Sequence, residues 1–89
     1  MNIKKTDKYI LLGENIRKLR KSQNYSQELF AKALGISVAT LSSYETGKTA
    51  PPASTCAKIA DMFGLSLNQV LNLKEDEQLP QKFLILKKL

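Results

Sequence analysis

SQELFAKALGISVATLSSYETG, residues 26–47, decides the fold. Apolar residues recur at helical spacing on both sides of Gly35-Ile36-Ser37: Phe30, Ala31 and Leu34 before it, Leu41 and Tyr44 after it. Ser26 and Ser37 each stand where a side-chain oxygen accepts from an otherwise unpaired N–H in the first turn of a helix. Gly35 suits the left-handed backbone that closes a helix, a conformation a Cβ resists. Gly47 stops the second apolar pattern. The stretch predicts two short helices, about 27–34 and 38–46, that meet at a tight turn.

Upstream, Leu12, Ile16 and Leu19 share one face of a preceding helix, and Arg17, Lys18 and Lys21 lie elsewhere on its surface. Asn24 ends that helix, because asparagine tolerates the left-handed region next best after glycine. Asp7 is a candidate cap, and residues 1–7 are expected to form a flexible basic tail. Downstream, Lys48-Thr49-Ala50-Pro51-Pro52 reads as a loop, with Pro52 suited to the first turn of a fourth helix. That helix turns Ala53, Cys56, Ile59, Ala60 and Phe63 inward and closes at Gly64. Ser66 and Gln69 make a capping box for a fifth helix carrying Leu67, Val70 and Leu71. The expectation is an all-α domain of five helices over residues 8–72. Residues 73–89 form a polar linker followed by an apolar segment, in which Phe83-Leu84-Ile85-Leu86 fits neither a helical nor a strand period. Pro80 and the closing lysines favour a helix slightly.

Eighty-nine residues allow one domain with a small core, too small for a deep enzyme pocket. The net charge of +6 is uneven. Residues 1–24 hold seven Lys/Arg against two acids, residues 25–72 three against three, and residues 73–89 four against three. The basic excess lies ahead of the central helix pair, and a positive face attracts polyanions through counterion release. Cys56 is the only cysteine and histidine is absent, which excludes an internal disulfide and a thiolate metal cluster. Cys56 sits in an apolar pattern and reads as a small buried residue. There is no glycine-rich phosphate loop, and Glu75-Asp76-Glu77 is a surface run, so no enzyme and no cofactor are expected. The four apolar residues Tyr9 to Leu12 are too few for a signal-peptide core or a membrane span, and a cytoplasmic location follows as the expectation.

Two helices crossing steeply through a glycine turn make a helix-turn-helix, whose second helix can enter the DNA major groove. From about Gly13 to Leu71 the chain resembles the XRE family of DNA-binding domains, typified by lambdoid phage repressors and Cro proteins. The residues that carry the likeness are Ile16-Arg17-Lys18-Leu19-Arg20, Ser26-Gln27, Ala31, Leu34-Gly35-Ile36-Ser37, Leu41-Ser42, Tyr44-Glu45, Gly47-Lys48, Pro51 and Leu65-Ser66-Leu67. The resemblance implies a five-helix, lambda-repressor-like domain with a short C-terminal extension, and a sequence-specific regulator of transcription that acts as a repressor on double-stranded DNA.

It also implies roles for positions. Val38, Ala39, Ser42 and Ser43 would touch bases. Gln27, Ser37, Thr40, Thr46, Lys48 and Thr49 would touch phosphates. Arg20 and Glu45 would form an ion pair between the first and third helices, held by two parallel bonds. None of the four base-reading positions carries the Arg, Lys, Gln or Asn that reads guanine or adenine with two prongs. Val38 and Ala39 suit thymine methyl groups instead, and DNA deformability would supply much of the remaining selectivity. The family often has basic residues where this chain has Ala50 and Pro52, which weakens the backbone grip there; the basic tail, Lys18 and Lys21 are the candidates to compensate. Leu29 departs from a position that is commonly polar in the family. A homodimer on an inverted-repeat operator is expected, with Leu67, Val70, Leu71, Phe83 and Ile85 as the interface. A different class of function, a protein-interaction module such as an antitoxin or adaptor, would act on a protein partner through the C-terminal segment.

Overall fold

The computed structural model describes residues 5–72. Five helices follow one another: α1 (Lys5–Ser22), α2 (Gln27–Leu34), α3 (Val38–Glu45), α4 (Ala53–Phe63) and α5 (Leu67–Leu71). Their ends have the chemistry the sequence announces. Ser26 Oγ accepts from Leu29 N at 3.0 Å and Ser37 Oγ from Thr40 N at 3.0 Å. Gly35 takes φ +73°, and Ile36 N reaches back to the Ala31 carbonyl at 3.0 Å, which closes α2. Gly64 does the same for α4 at φ +66°, with Leu65 N on the Ala60 carbonyl at 2.8 Å. Asn24 adopts φ +59° at the end of α1. Ser66 and Gln69 form the reciprocal capping box of α5, with bonds of 2.8 and 3.1 Å.

The core is contributed by every helix. Ile16, Leu19, Phe30, Leu41, Ile59 and Val70 are its fully buried large side chains. Phe30 sits between Tyr25 and Phe63, with ring centroids 5.9 and 6.1 Å away. Leu12, Tyr25 and Ile36 close the margin of this cluster. No helix among the described residues is long and apolar enough to cross a membrane.

Several expectations need correction. Helix α1 already runs from Lys5, so Asp7 lies within its first turn and does not cap it. Pro52 is the N-cap of α4, with ψ 157°, one place before the helix proper. Ala53 is exposed, because the buried stripe of α4 begins one turn later at Cys56. Helix α3 ends at Glu45, with Thr46 as its cap. Val70 is completely buried and offers no surface to a partner; of the α5 residues expected at an interface, only Leu67 and Leu71 are exposed. Phe83 and Ile85, and the linker and apolar segment over residues 73–89, lie outside the described residues, as do residues 1–4 of the expected tail.

Two residues that the periodicity did not single out hold the bundle together. Gly13 is where α1 crosses the end of α3: a Cβ there would run into the backbone carbonyls of Tyr44 and Glu45. Asn15 is buried, and its Nδ2 donates to the Val70 carbonyl at 2.9 Å and reaches the Leu71 carbonyl at 3.4 Å. It thereby satisfies the carbonyls that the last turn of α5 leaves without helical partners. A helix of five residues has little stability of its own, so this bond fixes where α5 sits. Asn15→Ala is expected to cost about 1–3 kcal/mol in urea unfolding, and amide exchange should rise first in α5. Unchanged exchange in α5 would show that packing alone seats it.

Candidate nucleic-acid interface

Helix α3 is eight residues long and has a single buried stripe of Leu41, Tyr44 and Glu45. The helical pitch therefore decides what faces out. Ala39 and Ser43 stand most directly opposite Leu41. Thr40 and Ser42 flank them. Val38 lies nearer the shoulder of the buried stripe, yet it is 39% exposed because it opens the helix at the turn. Ala39 is exposed, and Ser42 and Ser43 are half-buried. This surface is shallow and carries only methyl groups, hydroxyls and backbone, so a flat partner can approach α3 closely.

The orientation of α3 comes from Glu45. Its carboxylate is buried and receives three donors from two other helices. Arg20 Nε donates to Oε2 at 2.7 Å and Arg20 Nη2 to Oε1 at 3.1 Å. Gln27 Nε2 adds a third bond to Oε1 at 3.0 Å. Arg20 Nη1 is taken up by the Tyr25 carbonyl at 2.7 Å, so the guanidinium joins α1, the α1–α2 loop and α3. A planar fork on a carboxylate fixes direction as well as distance. The third donor was missed in the sequence because Gln27 reads as a helix-start residue with a solvent-facing amide.

The hydroxyl protons around α3 are unequally available. Ser37 donates its proton to Thr40 Oγ1 at 2.8 Å while accepting from Thr40 N. Thr46 directs its proton to the Ser42 carbonyl at 2.9 Å. Each hydroxyl has one proton, so in this arrangement the protons of Ser37 and Thr46 are engaged within the protein. Thr40, which accepts from Ser37, keeps its proton free. Gln27 retains its second amide hydrogen and its own backbone N–H at the start of α2. Lys48 and Thr49 are exposed, and their backbone N–H groups hold the Ser43 carbonyl at 3.0 and 3.4 Å, which fastens the loop against α3.

Arg17, Arg20, Gln27, Glu45 and Thr46 line an open cleft where α1, the start of α2 and the end of α3 converge. Arg17 is exposed at its rim. Cys56 plays no part in this surface. It is buried 4.0 Å from the Pro51 carbonyl, and burial pushes its thiol above the ordinary value, which keeps it protonated and unreactive near neutral pH.

Comparison with known proteins agrees with this geometry. A family model described as helix-turn-helix matches residues 16–70. The chain is 44% identical over 58 residues to the HTH-type transcriptional regulator YazB of Bacillus subtilis (strain 168), covering 65% of this chain and 84% of YazB. It is 41% identical over 64 residues to the ImmF control region 10 kDa protein of Bacillus phage phi105, covering 72% and 70% of the two chains. It is 34% identical over 83 residues to the antitoxin PezA of Streptococcus pneumoniae serotype 4 (strain ATCC BAA-334 / TIGR4), covering 86% of this chain and 52% of PezA. The match spans only about half the length of PezA and of two further regulators. No solved structure matches.

Proposed function

This chain belongs to the XRE family of helix-turn-helix, DNA-binding transcriptional regulators, and from that premise we propose that it is a sequence-specific repressor reading the major groove with α3. The observation that carries the reading is the one-sided burial of that helix. Leu41, Tyr44 and Glu45 anchor it, and its opposite face presents nothing larger than valine. Ala39 and Val38 pack on thymine methyl groups; Ser42 and Ser43 exchange hydrogen bonds with base edges. Thr40, the second amide hydrogen of Gln27, Lys48 and Thr49 bind phosphate oxygens and set the register. With no two-pronged reader on α3, much of the selectivity comes from how readily the duplex deforms.

We further propose a homodimer acting in the cytoplasm on an inverted repeat, its half-sites about 34–36 Å apart along the duplex. Leu67 and Leu71, 41% and 45% exposed and one turn apart on α5, support the dimer. Selection of bound duplexes from a random pool tests both parts at once. The expected result is an enriched, two-fold symmetric motif with thymines opposite the start of α3. A pool that emerges without any motif would remove the sequence-specific reading.

Ser43→Glu is expected to lower affinity for the selected duplex at least 100-fold, because a carboxylate on the outward face of α3 meets the phosphates and the acceptors of the base edges. Its melting temperature should stay close to that of the parent. A folded variant with parental affinity would mean that this face of α3 is not in the groove.

The likeness to PezA favours a second reading, in which the chain neutralises a protein partner through residues 79–89. Deletion of those residues separates the two. A pure repressor loses only the dimer's share of operator affinity. A partner-binding module keeps duplex binding by its domain and loses its protein ligand.

A further inference from the structure

We infer that the outer stripe of α1, formed by Arg17, Lys18 and Lys21, is a second phosphate-binding surface that grips the duplex backbone beside the bases read by α3. The inference rests on the DNA-binding mode proposed above and adds where the backbone affinity comes from.

Positions 14, 17, 18 and 21 fall at i, i+3, i+4 and i+7, a single stripe on the side of α1 away from Ile16 and Leu19. All four side chains are exposed. Among the described residues, the one ion pair is Arg20–Glu45, so the three cations of the stripe have no acidic partner there. The stripe also adjoins the interface. Arg17 lines the same cleft as Gln27 and Thr46, which belong to the start of α2 and the end of α3. A duplex seated on α3 brings the phosphates bordering the groove towards that rim, with Lys21 one turn further along the same face.

The helices and loops after α1 offer little other positive charge beside α3. Residues 25–72 carry no net charge. The loop after α3 offers Lys48 alone, since Ala50 and Pro52 are exposed but uncharged. Ser37 and Thr46, the hydroxyls flanking α3, carry no charge and hydrogen-bond within the protein. Glu14, at the head of the stripe, is the acid that opposes it.

The experiment measures binding of the full chain to its selected duplex over a range of salt concentrations. Each phosphate neutralised contributes a slope of about −0.9 in log K against log[salt]. The triple variant Arg17→Ser/Lys18→Ser/Lys21→Ser is expected to lose about 2.7 units of slope per protomer and roughly 10- to 100-fold in affinity at low salt, with the selected motif unchanged. Glu14→Gln should gain about threefold at low salt and nothing at high salt, a gain that misfolding cannot mimic. Lys58→Ser, an exposed change on α4, should leave the slope where it was. A parental slope in the triple variant, or an equal loss in Lys58→Ser, would overturn the inference while leaving the DNA-binding reading intact. A parent chain that selects no motif and shows no salt dependence would remove that reading as well.

Discussion

Glu45→Ala is expected to remove about 3–5 kcal/mol of stability, enough to unfold most of a domain this size at ambient temperature. The substitution deletes one carboxylate but strands a guanidinium. Arg20 is 8% exposed and directs Nε and Nη2 at the vacated site, while Nη1 is pinned to the Tyr25 carbonyl and cannot carry the group out to water. Gln27 Nε2 loses its acceptor as well. The pair itself is worth far less than its disruption, since desolvation of two ions offsets most of their attraction. The double replacement Arg20→Met/Glu45→Leu should therefore recover a large part of the loss. Urea unfolding followed by circular dichroism reads both effects. A Glu45→Ala protein within about 1 kcal/mol of the parent would mean that Arg20 finds water easily and that the network does not hold α3.

Gly13→Ala should destabilise by about 3 kcal/mol, at the upper end of the range for overpacked sites. The sign is what makes the test sharp. In an ordinary helix interior, exchanging glycine for alanine gains roughly 1 kcal/mol, because alanine gives up less backbone entropy. Here the new methyl would meet the Tyr44 carbonyl at a separation no real Cβ shows, with the Glu45 carbonyl at 2.9 Å. Both obstacles are backbone, so neither can swing aside. Relief requires α1 and α3 to part, which would also stretch the Arg20–Glu45 bonds. DNA affinity should fall more than stability accounts for, because α3 is re-aimed. A midpoint equal to or above the parent's would show that the two helices have slack at their crossing.

The helix pair at the centre was legible in the sequence because each of its signals is local. Serine caps, Gly35 and apolar residues three and four apart all act within one or two turns. The capping box at Ser66 and Gln69 was legible for the same reason. What the sequence concealed depends on partners far along the chain. Gly13 matters because of carbonyls more than thirty positions away, which no helical period reports. Asn15 left a trace, as a polar residue at the inward position between Leu12 and Leu19, but its carbonyl partners on α5 lie 55 and 56 residues on. Gln27 was placed correctly at the start of α2 but assigned outward, since nothing near it in sequence shows a carboxylate within reach. The direction of the Ser37 and Thr46 protons is likewise a matter of geometry, not of composition. Val70 was expected on a surface because it shares a helical face with Leu67 and Leu71; which edge of that face turns into the core is set by how α5 docks on the other helices, and it is the Val70 edge that is buried.

An isolated peptide with the sequence of α3 would hardly be helical, since eight residues fall short of the length at which a helix holds its shape in water. Its form is borrowed through Leu41, Tyr44 and Glu45, none of which is free to meet a base. The positions that do face outward contribute almost nothing to folding. Their letters can drift, and if α3 reads the groove as proposed, a descendant of this chain acquires a new operator by exchanging residues 39, 42 and 43 while the scaffold that presents them stays as it is.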